Sequence, residues 1–390
     1  MYIKQKQMNR YLVVVLIFSI LLSCKTSLNV TNINNAEKYE AKSLMYYLPE
    51  TVIKIDVEVT RTVFTKGKFN EFAEKYLNIE NAEKTDFVKY QLSDIDIDSY
   101  GEPDYNNGFI ITGKALTDLK INVTDNFLLA GINNKAENYS ESINPTSFLI
   151  EKESEKFFFT DLTSKRALNE TEDTVYKRIK QDSVFIKVPI IKKQTGIKTS
   201  EIKAEDAANL IIKIRKKRLK LLYGEVESKI EEVSIKDMVD GLNSIEKNYL
   251  ELFIGHTEVD TLNYSFEFTP NNSQELTNNI LFYFSEKYGI NSTNIKGYEP
   301  VTIKILKCGK TNIIESYKAK NTVQNKSNGL FYRIPDCGVV QVFKNTDLVA
   351  NKKILVAQFG TTAEIPSEIL SKKNIKIEIN PKLGSLKSIE

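Results

Sequence analysis

From Thr51 onward apolar and polar positions alternate with a period of two, the mark of strands with one buried face. Ile53, Ile55, Val57 and Val59 alternate with Lys54, Asp56 and Glu58. A short helix follows, because Phe69, Phe72, Ala73, Tyr76 and Leu77 recur at helical spacing. Further strands are predicted over 87–92, 93–98, 109–112, 119–129, 157–160 and 184–191, with Tyr100-Gly101-Glu102-Pro103-Asp104 as a turn between two of them. The middle of the chain changes period. Ala208, Ile211, Ile212, Leu219 and Leu222 fall on one side of a helix over 204–223, and Gly224 supplies a C-terminal stop. A second helix over 235–254 carries Met238, Leu242, Ile245, Tyr249 and Leu252 at steps of four and three, and Gly255 ends it. Strands then return in Leu262, Tyr264, Phe266 and Phe268 and in Val301, Ile303 and Ile305, and over 280–284, 330–334, 339–343, 354–359 and 375–379.

This order predicts a β-rich α+β fold. Two β-sandwich-like regions, 43–200 and 257–390, flank an antiparallel helical hairpin over 201–256. The stretch 24–42, rich in Asn, Thr, Ser and Lys without periodicity, reads as a flexible tether. One internal echo stands out. Leu44-Met45-Tyr46-Tyr47-Leu48-Pro49-Glu50 lines up with Leu330-Phe331-Tyr332-Arg333-Ile334-Pro335-Asp336, each a short strand ended by proline.

The N-terminus carries an address. Lys4, Lys6 and Arg10 flank Tyr11–Leu22, an apolar run too short for the ~20 residues that span a bilayer. The run closes on Leu21-Leu22-Ser23-Cys24, which resembles the processing site of bacterial lipoproteins. That resemblance implies removal of residues 1–23 and acylation of Cys24 on sulfur and nitrogen. Two or more acyl chains anchor stably, so a lipid bilayer becomes the first partner. Position 25 is lysine rather than the aspartate associated with inner-membrane retention, and no acidic run follows it. The expected location is the periplasmic face of the outer membrane.

The leader also carries the whole charge excess. Of 54 basic residues three lie before Cys24, leaving 54 − 3 = 51 against 51 acidic ones. A chain balanced at zero gives no reason to expect nucleic-acid binding.

Several segments together resemble the family called domain of unknown function 4831. They are 46–50, 73–77, 99–104, 214–225 (IRKKRLKLLYGE), 246–255 (EKNYLELFIG), 284–290, 329–335, 357–360 and 379–389. They run in order over nearly the whole chain after residue 43. The resemblance implies an envelope setting and brings no catalytic residue with it.

Candidate chemistry is sparse. With one histidine in the chain, a Ser-His-Asp or Cys-His arrangement has only His256 as its base, and that residue follows a helix stop. Asp94, Asp96 and Asp98 share a strand face, with Glu102 and Asp104 behind them. A calcium loop would need glycine where Ser99 stands, so the reading is a solvated edge strand. Gly309-Lys310-Thr311 imitates the end of a phosphate-binding loop, but its first glycine would fall on Lys304 and strands are expected on both sides. Arg215, Lys216, Lys217, Arg218 and Lys220 form a basic helix end, with Arg215 and Arg218 placed to pair with acids such as Glu246. Cys308 and Cys337 remain once Cys24 is lipidated, and a disulfide between them is possible in an oxidising compartment. Asp173-Thr174-Val175, Asp182-Ser183-Val184 and Asp260-Thr261-Leu262 resemble acceptors of envelope O-glycosylation.

The expectation is therefore a non-enzymatic, membrane-anchored envelope lipoprotein with a structural or partner-binding role, the candidate partner being another envelope protein. No cofactor, metal or catalytic site is picked out. The alternative is a periplasmic glycan- or peptide-binding module using its 19 tyrosines. A hydrolase built on paired carboxylates comes third.

Overall fold

The computed structural model describes residues 28–35, 43–113, 119–134, 168–181, 184–197, 199–224, 232–271, 279–320, 329–372 and 374–390. Strand β1 (Asn29–Asn32) pairs with the end of β3 (Phe87–Thr112). β3 pairs along its length with β2 (Leu44–Thr65), and β2 with β8 (His256–Phe268), all antiparallel. A second sheet runs β10 (Gly289–Asn291), β9 (Asn279–Ser285), β11 (Glu299–Lys307), β12 (Leu330–Lys344) and β13 (Asp347–Ile365). A small sheet joins β15 (Ser385–Ile389), β14 (Ile377–Asn380), β5 (Leu129–Ile132) and β4 (Ile121–Val123). The backbone of β6 (Leu168–Gln181) and β7 (Val184–Ile197) forms a separate two-stranded hairpin.

The period-two pattern does what the physics asks of it. Ile53, Ile55, Val57 and Val59 of β2 and Ile97 of β3 bury themselves against Phe282, Phe284, Val301, Ile303, Val340 and Val342 of the second sheet. Each such side chain contributes ~1.5–3 kcal/mol of burial, so this face-to-face core is a large source of stability. Asp94, Asp96 and Asp98 stay exposed while Ile95 and Ile97 turn inward, as a solvated edge requires.

A basal core lies at the other end of the same long strands. Tyr46 and Leu48 of β2, Phe109 and Ile111 of β3 and Leu330 of β12 meet Leu129, Ile132, Ile365 and Ile377 there. The echoed prolines mark the division. The β2–β3 register shifts between Tyr47 and Pro49, and the β12–β13 register between Ile334 and Asp336. Proline has no N–H to give a ladder, so each long strand bends where it sits.

Four expectations change here. The two β regions are not independent, because β8 completes the first sheet and β5 pairs with β14. The tether over 24–42 is partly structured: β1 pairs Asn29 with Thr112, and Leu28 and Val30 are buried in the basal core. The strands expected over 87–92, 93–98 and 109–112 are one strand. The turn expected at 100–104 shifts to residues 104–107, which bulge between the Pro49–Pro103 and Tyr47–Gly108 pairs. The strand expected over 119–129 is split by a turn, in which Leu128 donates its N–H to the Thr124 hydroxyl. The strand expected over 157–160 lies outside the described residues.

Between β2 and β3 sits helix α1 (Ala73–Leu77). Two long helices, α2 (Ser200–Leu222) and α3 (Glu232–Ile254), precede β8 in the chain. Thr199 caps α2 by accepting the N–H of Ile202. Gly255 ends α3 with φ of 86°, where a Cβ would fall 2.6 Å from the Thr65 carbonyl oxygen, so only glycine fits. Phe69, Ala73, Ala204, Ala208, Ile211, Tyr249 and Phe253 pack as a third core and root both helices at the far end of β2. α4 (Asn312–Lys320) and α5 (Ser367–Leu370) are short, and the sequence pattern did not announce them. Among the described residues no helix is long and apolar enough to cross a membrane.

The helix faces agree only in part with the expected ones: Ala208, Ile211, Tyr249 and Leu252 are buried as expected. Ala204, Ala207, Ala208, Ile211 and Ile214 of α2 are buried, while Ile212, Leu219 and Leu222 are exposed. On α3, Glu246, Tyr249 and Phe253 are buried, while Met238 and Ile245 face water. A carboxylate, not an aliphatic side chain, occupies the seam. Arg215 Nε donates to Glu246 Oε1 at 2.7 Å and Arg218 donates to Glu246 Oε2. Arg218 also reaches Asn243 at 2.7 Å. Burial alone would raise the Glu246 carboxyl, but the two guanidinium groups hold it below the usual carboxylate range.

Candidate functional site

The most elaborate polar site forms where the two proline-broken strands cross. Tyr46 of β2 is fully buried, and its hydroxyl accepts the Phe331 N–H at 3.0 Å. Two residues past Pro49, the Thr51 N–H donates to Gln358 Oε1 at 2.8 Å and the Thr51 hydroxyl accepts from the Ala357 N–H at 2.9 Å. Gln358 Nε2 returns hydrogen bonds to the carbonyls of Thr51 and Pro270, each at 3.0 Å. These bonds tie the first 60 residues of the fold to its last 60.

Beside them lies a buried ion pair. Arg333 is 5% exposed and donates to Asp104 Oδ2. Asp104 also accepts from the Asn106 N–H at 3.0 Å and from Asn107 Nδ2 at 2.8 Å, which folds the 104–107 bulge around it. The Arg333 N–H donates to the Gly384 carbonyl at 2.8 Å, and Arg333 Nε has no acceptor among the described residues. Burial lowers the Arg333 guanidinium while Asp104 and Glu50 work to keep it charged. Glu50 is pushed up, first by burial and then by the Asp104 carboxylate, with Arg333 offsetting part of the rise.

That direction has a consequence. A carboxyl raised in the folded state binds more protons folded than unfolded, so its contribution to stability falls as pH rises through the carboxylate range. Glu50→Gln is therefore expected to gain stability relative to the parent at pH 7 and to lose that advantage at pH 4. Urea midpoints at the two pH values check it, and an unchanged difference refutes it.

The second polar site is Asp336, next to Pro335. It accepts from the Thr311 N–H and hydroxyl, each at 3.1 Å, and from the Cys337 N–H at 2.7 Å. Burial would raise this carboxyl, but those donors bring it below its ordinary value. Cys308 and Cys337 are joined in a disulfide, with their Cα atoms 5.3 Å apart. Their sulfurs and Asp336 lie within 4.8 Å of one another, but with both sulfurs bonded only the carboxylate could serve a cation.

The remaining candidates separate. Gly309-Lys310-Thr311 is followed by α4, a correction to the strands expected there, yet the Thr311 hydroxyl is committed to Asp336. His256 opens β8, with Nδ1 3.1 Å from Glu251 and Nε2 3.5 Å from Glu258. On the outer face of the first sheet Asp56 stands opposite Asp96, and Glu58 opposite Asp94. Lys54 reaches Asp56 and Lys352 reaches Asp96. Thr261 is exposed on β8 beside Asp260, which pairs with Arg61 at 2.8 Å. For Thr174 only the backbone is described, and Ser183 and Cys24 lie outside the described residues.

Sequence reasoning missed the Arg333–Asp104 pair. The available signal was an arginine inside an apolar strand, at the place where the echoed segment carries Tyr47. The hydrogen bonds and the Arg333–Asp104 pair act as a clamp between segments distant in the chain.

Residues 42–387 match the family described as a domain of unknown function, DUF4831. The chain belongs to the DUF4831 family. No curated protein and no solved structure matches it. The crossing of the two proline-broken strands thus lies wholly within the DUF4831 region, as do Cys308 and Cys337. Strand β1 precedes it.

Proposed function

We propose that this DUF4831 protein is a lipid-anchored envelope lipoprotein facing the periplasm from the outer membrane, acting as a structural or partner-binding component and not as an enzyme. One observation supports this reading above the others. Leu21-Leu22-Ser23-Cys24 ends an apolar run, and Leu28, four positions further on, is buried in the basal core, so an acyl chain on Cys24 would sit close to a folded domain. The clamp adds support, because the Arg333–Asp104 pair and its neighbours tie together segments distant in the chain.

Cys24→Ser is expected to move the protein from the membrane pellet to the soluble fraction. Intact mass of the membrane form should carry the added acyl groups. A Cys24→Ser protein that still pellets with the outer membrane refutes the anchor.

A glycan-binding role is the second reading, favoured by the near-parallel rings of Tyr288 and Tyr298. Their centroids lie 6.0 Å apart and Tyr288 is 55% exposed. Retention on a glycan array that disappears in Tyr288→Ala would select it over the scaffold.

A further inference from the structure

We propose that the protein stands on the bilayer in one orientation, with the β1 end against the lipid surface and the root of α2 and α3 held away from it. The inference rests on acylation of Cys24 and extends it. Only residues 25–27 separate Cys24 from Leu28, which is 3% exposed. Four residue steps span at most about 14 Å when fully extended. A lipidated Cys24 therefore holds Leu28 within about that distance of the headgroups.

The ladder register says which part of the fold this is. Asn29 lies opposite Thr112, the last residue of β3, and Leu44, the first of β2, lies opposite Ile111. The chain thus enters at one end of the β2–β3 ladder. The other end is Phe64 opposite Phe87. There Thr65 pairs with His256 and the Phe69 N–H donates to the Leu252 carbonyl at 2.7 Å, which fixes the base of α3. From Leu44 to Phe64 the strand covers roughly 64–68 Å along its path, less whatever the break at Pro49 removes. A tether of three residues cannot turn such a body over. A flexible tether through residue 42 would have allowed any orientation, and β1 removes that freedom.

The chain contains no tryptophan, so a single one makes a clean donor. Phe127 is 53% exposed, and its carbonyl accepts the Tyr47 N–H near the anchored end. Phe87 is 42% exposed at the far end. Phe127→Trp and Phe87→Trp would each be made in the full acylated chain and reconstituted into vesicles carrying dansyl-labelled headgroups. Quenching of Phe127→Trp, with none above background for Phe87→Trp, is the expected result. A Gly-Ser insertion of about 20 residues before Leu28, with an r.m.s. reach of ~25 Å, should weaken the Phe127→Trp quenching. Equal quenching of the two donors in protein whose mass shows acylated Cys24 overturns the orientation and leaves the anchor standing. An unmodified Cys24 overturns both.

Discussion

Arg333→Met is expected to cost about 3–5 kcal/mol of unfolding free energy, the usual penalty for removing one partner of a buried ion pair. Asp104 would lose its cationic partner in a site where its side chain is 10% exposed, with Asn106 and Asn107 as its remaining donors among the described residues. The native pair itself adds little net stability, because burying both ions opposes their attraction. The companion variant follows from that asymmetry. Arg333→Met combined with Asp104→Asn keeps an acceptor for the Asn106 N–H and removes the stranded charge, so it should recover most of the loss. Urea unfolding of the parent, single and double variants measures both effects. A single variant within ~1 kcal/mol of the parent would contradict the burial argument, since surface pairs are worth that little.

Removing the disulfide by Cys308→Ser with Cys337→Ser should cost about 3–4 kcal/mol on the chain-entropy relation for a loop of this size. The two cysteines are 29 positions apart, and the loop they close contains α4. The Cys308 N–H donates to the Cys337 carbonyl at 2.9 Å and Asp336 still holds Thr311, so the end of β11 should remain docked. The loss should therefore appear as a lower unfolding midpoint with near-native circular dichroism. Alkylation without reductant should leave both thiols of the parent unlabelled. Labelling of Cys308 and Cys337 in the untreated protein would overturn the bridge.

Much of this was legible in the sequence for a simple reason. Alternation at positions 53–59 needs only one buried sheet face, whatever lies across from it, and all four apolar residues are buried. The helices over 200–222 and 232–254 were equally legible, because helix period and stop glycines are local properties. Their faces were not. A seam search assumes aliphatic seam positions, whereas here Glu246 takes one and two arginines from α2 make that tolerable. The pairing was visible as charge complementarity, but its place inside the seam was not. β1 was misread as tether because Leu28 and Val30 are only two apolar residues in a polar stretch. Their burial depends on an open edge of β3 more than 75 positions away.

By itself, then, the sequence determined the β-rich character, the two long helices and membership of the DUF4831 family. Only the tertiary structure decided that β2 pairs with β8 and β5 with β14, weaving the expected two regions into shared sheets. It also decided that Arg333 and Asp104 meet and that Leu28 and Val30 are buried beside β3. The physical reason is common to all of these. Periodicity reports which side of a residue faces the core, while the partner across that core is chosen by contacts distant in the chain that leave no local pattern.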